Sequence, residues 1–170
     1  MQLTRFTDIG LRIVMALAAD PENTHTSRQL ADDLHLSYTH VAKVVSRLAE
    51  LGVVNSRRGR SGGLVITELG PQAGVGWLAR HLEGDDEIVE CEGATPCPLR
   101  AACRLRTALA AAQDAFYTSL DRLTVEDLIA DPTGAQLLTL LPGPPVAADD
   151  DLAIPRRTQS CAFGGRNDQQ

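Results

Sequence analysis

Apolar positions in the first fifty residues recur at helical spacing, in three blocks separated by turn residues. Phe6, Ile9, Gly10, Ile13, Val14 and Leu17 follow the i, i+3, i+4, i+7 rhythm and predict a helix over about 4–19 with one buried stripe. Asp20-Pro21-Glu22-Asn23 breaks it. A second, short helix is expected over about 27–34, capped by Thr26 or Ser27, with Leu30, Ala31 and Leu34 turned inward. After the turn His35-Leu36-Ser37, the stripe Val41, Val44, Val45, Leu48, Leu51 sets a third helix over about 38–50, which Gly52 stops.

The period then changes. Two short extended runs, 53–56 and 64–67, flank the loop Arg57-Arg58-Gly59-Arg60-Ser61-Gly62-Gly63, and a glycine-rich loop between β-branched runs reads as a hairpin. Helix, short helix, turn, helix and basic hairpin is the order of a winged helix-turn-helix. A further helix is expected over 71–82, with Pro71 in its first turn. Residues 83–100 are acidic and rich in turn formers. A long helix over about 101–121 follows, carrying Leu105, Ala108, Leu109, Ala112, Phe116 and Leu120 on one face. At about 1.5 Å per residue it reaches roughly 30 Å, more than a small domain needs internally, so its stripe reads as half of a dimer interface. Thr124 caps a short helix to about 130, and from Pro142 onward Pro, Gly and an Asp triplet predict a disordered tail.

The expected fold is therefore mainly α with a small β wing. A winged helix-turn-helix domain occupies 1–82, a thiol-bearing loop 83–103, a dimerisation helix with its following short helix 101–135, and a tail 142–170. The 170 residues allow one or two small domains. No apolar run approaches the roughly 20 residues of a membrane span. The N-terminus lacks the apolar core of a signal peptide, which predicts a cytoplasmic protein.

The net charge of −6 argues against nucleic-acid binding only until it is located along the chain. Residues 1–80 carry nine Lys/Arg against seven Asp/Glu, and residues 81–170 carry seven against fifteen. Within 38–80 the balance is six against two, a local basic patch of the kind that contacts phosphates. The polar face of the third helix presents Thr39, His40, Lys43 and Arg47. Thr39 and His40 are placed to meet base edges, Lys43 and Arg47 to meet phosphates. Ser37 is expected to cap this helix, and Tyr38 either bonds a phosphate or packs. In the hairpin, Arg57, Arg58 and Arg60 alternate with small residues, including Gly62 and Gly63, that admit the backbone close to a duplex, and arginine on such a tip suits a narrow minor groove. The alternative is a solvated hairpin on a structural helix pair. The complete order of elements favours operator DNA as the partner.

Three cysteines fall at equal intervals, Cys91, Cys97 and Cys103, a Cys-x5-Cys-x5-Cys run. In a reducing compartment such density points to metal ligation in preference to disulfides. Three thiolates suit zinc or an iron–sulfur cluster, and both want a fourth ligand. Paired Cys-x2-Cys knuckles are absent, and five-residue gaps wrap a cluster better than one ion. The fourth ligand is not legible in the spacing: no histidine closely follows Cys103, Arg106 stands where one would be expected, His81 lies upstream, and Glu90 and Glu92 flank Cys91. Cys161 lies in the tail and reads as a bystander.

Three segments together resemble one known family: Gln2-Leu3-Thr4-Arg5-Phe6-Thr7-Asp8-Ile9-Gly10-Leu11-Arg12, the hairpin loop 57–63, and the cysteine loop ending Ala102-Cys103-Arg104-Leu105. Over roughly residues 1–135 the chain is similar to the NsrR-type nitric-oxide-sensing repressors of the Rrf-two superfamily. The resemblance implies a homodimeric, non-enzymatic winged-helix repressor with one 4Fe–4S cluster per subunit, held by Cys91, Cys97 and Cys103. It also implies a fourth ligand, Asp8 of the Phe-Thr-Asp motif, reaching across from the other subunit. On local grounds Asp8 is a first-turn acid favoured by the helix dipole. Cluster-status regulators of the same superfamily place a histidine three residues beyond the last cysteine; Arg106 there argues against them. Nitric oxide is then the expected signal. A sensor of iron or cluster supply is the nearest rival, and an electron-transfer protein or a zinc-stabilised DNA-binding protein are more distant ones.

Overall fold

The computed structural model describes residues 2–57, 62–84, 88–89 and 91–141. Arg58, Arg60, Glu90, Cys161 and the tail 142–170 lie outside them. Among the described residues, eight helices and one hairpin follow in order: α1 Arg5–Ala19, α2 Ser27–Asp33, α3 Tyr38–Glu50, β1 Val54–Arg57, β2 Gly63–Ile66, α4 Leu69–Gln72, α5 Val75–Glu83, α6 Arg104–Leu120, α7 Val125–Leu128 and α8 Thr133–Leu140.

α1 is the central helix. Thr4 caps it, its hydroxyl accepting from the Thr7 N–H, and Ile9, Ile13, Val14 and Leu17 are at most 1% exposed. α2 begins with the reciprocal capping box of Thr26 and Gln29. A turn through His35, at φ 53°, delivers the chain to α3, whose Val41, Val44 and Leu48 are fully buried. Gly52, at φ 75°, ends α3, while the Val53 N–H reaches back to the Leu48 carbonyl, the six-to-one closure that a left-handed residue permits. Ser37 occupies the N-cap position of α3 without the side-chain capping bond expected of it.

The hairpin pairs Val54 with Ile66 and Arg57 with Gly63. It is anchored from behind, because His25 pairs with Leu64 through two main-chain bonds of 3.1 and 2.8 Å. A Cβ at Gly63 would stand 3.1 Å from the His25 carbonyl oxygen, so Gly63 serves this close approach. The His25 ring is itself buried and bonded to Asp20, the C-cap of α1 (2.9 Å).

Three elements differ from the sequence expectation. The helix expected over 71–82 is two helices, α4 and α5. The break occurs at residues 73–75, which bond in extended conformation to 123–125 (Val75 N–H to Leu123 O, 2.9 Å; Val125 N–H to Ala73 O, 3.1 Å). α6 starts at Arg104, not 101, because residues 97–102 form turns closed by Arg100 N–H to Cys97 O and Ala102 N–H to Leu99 O. Its 17 residues span about 25 Å. The stripe assigned to α6 is only partly covered within the chain: Leu105 is 63% exposed, Ala108 and Ala112 are exposed, and Leu109, Phe116 and Leu120 are half-buried, while Tyr117 is the residue buried against α5. Finally, α8 was not expected. Its Leu137, with Leu141, closes the core over α1.

α5 and α6 approach unusually closely. A Cβ at Gly76 would overlap the Tyr117 carbonyl oxygen, and Asp121, just past α6, accepts the Trp77 N–H at 2.6 Å in the first turn of α5. Arg80 adds an ion pair to Asp114 (2.8 Å), and its guanidinium lies 4.6 Å from the centre of the Tyr117 ring. Burial pushes the Tyr117 phenol above its usual range. Among the described residues no helix is long and apolar enough to cross a membrane.

Candidate nucleic-acid interface and thiol loop

The buried valines of α3 fix which of its side chains face outward. Ser37, Tyr38, Thr39, His40 and Lys43 are all exposed, along the first turn and a half of the helix. Arg57 is exposed at the end of β1, and Gly62 and Gly63 are half-buried beside it. Arg58 and Arg60 lie outside the described residues. Arg47 has a different engagement: its guanidinium donates to the His81 carbonyl (3.2 and 3.4 Å) and to Glu50 (3.1 Å). It joins the C-terminal half of α3 to α5, so a phosphate contact from Arg47 requires giving up bonds that hold the fold. Arg28 was missed by sequence reasoning. It lies on α2 with its guanidinium 4.8 Å from the centre of the Tyr38 ring. The available signal was its position in the first helix of the helix-turn-helix pair.

The thiol loop leaves α5 and ends at α6. Cys91 is buried, and Cys97 and Cys103 are half-buried thiols outside any disulfide. The Cys97 N–H donates to the Cys91 carbonyl at 3.1 Å, which closes the first five-residue gap into a loop; turns through Leu99 occupy the second. Cys103 is the N-cap residue of α6 and makes no side-chain capping bond. Glu92, next to Cys91, pairs with Arg106 (3.2 Å) and faces Arg100 (3.6 Å). Arg106 therefore fastens the loop to α6 from the position where a histidine ligand was considered. His81 bonds the Trp77 carbonyl through Nδ1 (2.8 Å) and lies against the Trp77 ring.

Asp8 belongs to α1, not to the thiol loop. It sits in the first turn of α1, 46% exposed, with its carboxylate 2.9 Å from Arg12 Nε. It opens onto a shallow cleft of about 580 Å³ bounded by Leu3, Arg5, Arg12, His35 and Leu36. A single chain does not gather it with the cysteines, and among the described residues no three His, Cys, Asp or Glu side chains already converge on one point. The donors nevertheless suit an iron–sulfur cluster by chemistry. Three soft sulfur donors lie on one turn-closed loop, and the carboxylate of Asp8 is a partly exposed oxygen donor.

A helix pair with an exposed polar reading face, backed by an anchored hairpin, defines a winged-helix DNA-binding protein. The chain belongs to the Rrf2 family, described as iron-dependent transcriptional regulators, whose sequence pattern matches residues 3–131. The HTH-type transcriptional repressor NsrR of Streptomyces coelicolor is 55% identical over 146 residues, covering 85% of this chain and 99% of that one. The HTH-type transcriptional regulator NsrR of Shouchella clausii is 36% identical over 132 residues, covering 76% and 89%. Among solved structures, CymR, the global cysteine regulator of B. subtilis, superposes with a TM-score of 0.56 at 29% identity, covering 75% of this chain and 95% of that one. IscR of T. potens shares the fold with a TM-score of 0.62 at 21% identity, covering 80% and 91%. The protein is a transcriptional repressor of this kind, as the resemblance of its motifs implied.

Proposed function

We propose that the chain works as a homodimeric repressor whose operator affinity is set by a 4Fe–4S cluster, one per subunit, and lowered by nitric oxide. The observation that carries this reading is the placement of three thiols on one turn-closed loop fastened to α6 by Glu92 and Arg106. The 55% identity to a repressor named NsrR supports it. Cys91, Cys97 and Cys103 would hold the cluster from one subunit, and Asp8 from the other. When bound, such a cluster supplies iron to which nitric oxide can coordinate.

The residues of this chain explain how the signal reaches DNA. Asp8 lies in the first turn of α1, whose C-cap, Asp20, is bonded to His25 behind the wing, and whose flank packs on α3. A carboxylate held by the partner subunit therefore fixes α1 and, through it, the reading helix and hairpin of its own subunit. With both ties made, the two reading helices keep a spacing suited to half-sites about one DNA turn apart. Without them Asp8 returns to Arg12, the heads move independently and operator affinity falls. A coupling of about 3 kcal/mol corresponds to roughly 150-fold in affinity, sufficient for a switch.

Replacing Cys97 or Cys103 by Ala tests the linkage. Visible absorbance of the oxygen-free protein and binding to a DNA duplex selected from a random pool should be lost together; full-strength operator binding without the chromophore refutes it. The family's description as iron-dependent favours one rival, a sensor of iron supply. Iron chelation that releases DNA while nitric oxide does not would establish that rival.

A further inference from the structure

We propose that Arg28 and Tyr38 form a stacked clamp for a DNA phosphate beside the reading helix, with Arg28 as the phosphate ligand and Tyr38 as the residue that holds it in position. The proposal rests on DNA binding through α3 and adds a contact from α2.

Tyr38 is the first residue of α3 and is 48% exposed, an uncommon surface position for a large aromatic side chain. The Arg28 guanidinium lies 4.8 Å from the centre of its ring, within the range of cation–π attraction. Five other arginines of the described residues, Arg12, Arg47, Arg80, Arg100 and Arg106, each have a carboxylate within 3.6 Å. Arg28, like Arg5, Arg57, Arg104 and Arg122, has no carboxylate partner among the described residues. A ring face fixes the orientation of a guanidinium while using none of its five N–H donors and neutralising none of its charge. The clamp is therefore ordered before binding, and its planar fork of donors suits two phosphate oxygens.

Its place in the fold fits that use. Thr39 and His40 follow Tyr38 directly and are exposed with it. In helix-turn-helix docking the first helix crosses the phosphate backbone while the start of the second enters the groove. Arg28, on the first helix and in contact with the start of the second, lies where those two surfaces meet. A contact of this kind sets register and affinity and reads no base.

The test uses the full-length protein and two duplexes, one selected by the wild-type protein from a random pool and one unselected, titrated over a range of salt. Arg28→Ala should weaken binding about tenfold per protomer on both duplexes, the loss expected for one charge-assisted contact. The slope of log affinity against log salt should fall by about 0.9 per protomer. Tyr38→Leu should weaken binding less with a near-unchanged slope, Tyr38→Phe should behave as wild type, and the double variant should be no worse than Arg28→Ala. Both side chains are exposed, and unaltered circular dichroism checks that the variants fold. Unchanged affinity and slope in Arg28→Ala, or losses that simply multiply in the double variant, overturn the clamp while wild-type binding stands. A wild-type protein that selects no duplex at all overturns DNA binding and the clamp with it.

Discussion

Replacing Asp8 by Ala separates the carboxylate's part in the fold from its proposed part in cluster ligation. Within one chain, Asp8 has one ion-pair partner, Arg12, one turn along the same helix, and the two side chains are 46% and 54% exposed. Such an exposed i,i+4 pair contributes about 0.3–0.5 kcal/mol. A first-turn acid adds about 0.3–1 kcal/mol from the helix dipole, screened by salt. The total is about 1 kcal/mol, and for a chain of this size that lowers Tm by about 2–4 °C. Cluster-free Asp8→Ala protein should therefore melt within a few degrees of wild type by circular dichroism. The cluster-loaded variant should react with nitric oxide at a clearly altered rate in stopped-flow absorbance, since an oxygen ligand has been replaced. An unchanged rate removes Asp8 from the ligand set. A drop in Tm of more than about 10 °C shows that Asp8 carries structure the exposed pair does not account for, and the argument from exposure fails.

Gly76→Ala places a methyl group against the Tyr117 carbonyl and should force α6 off α5, costing about 2 kcal/mol by overpacking; an unchanged or higher Tm contradicts the close helix approach. Arg47→Ala loses its bonds to the His81 carbonyl and Glu50 and should destabilise the protein by about 1 kcal/mol in urea unfolding, whereas an arginine that only met phosphate would leave stability unaltered. The Thr124 backbone N–H and hydroxyl hold the Asp127 carboxyl below the usual carboxylate range. Because the folded value is the lower one, this capping contribution is present above the ordinary carboxylate pKa and is lost as pH falls through the folded value. Asp127→Asn should accordingly lessen the acid sensitivity of unfolding, and an identical pH profile would show that the capping box adds nothing.

The reading head was legible because its signals are local. Valines and leucines at helical spacing, Gly52 at a left-handed C-terminus and the β-branched runs around the hairpin each act within a few residues. The split between α4 and α5 was not legible, since it depends on residues 73–75 bonding to residues 123–125. The same distance effect concealed α8, whose short pattern gains its meaning from packing on α1. In α6 the spacing identified an apolar face that the chain itself leaves largely uncovered, while the contact with α5 through Tyr117 was not legible in the spacing. The site divided in the same way. The cysteine run announced a thiol centre by composition, whereas Glu92's pairing with Arg106 and the stacking of Arg28 on Tyr38 required coordinates. The role proposed for Asp8 was accessible through resemblance alone, because a ligand supplied by a second chain would leave no spacing in the first.

The most direct test of the central claim is a stepwise nitric-oxide titration of oxygen-free, cluster-loaded protein, with cluster absorbance and occupancy of a selected operator duplex recorded on the same samples. The account predicts that DNA release tracks loss of the cluster spectrum point by point, with a final affinity at least tenfold weaker. Full operator occupancy after the spectrum has been lost would contradict it.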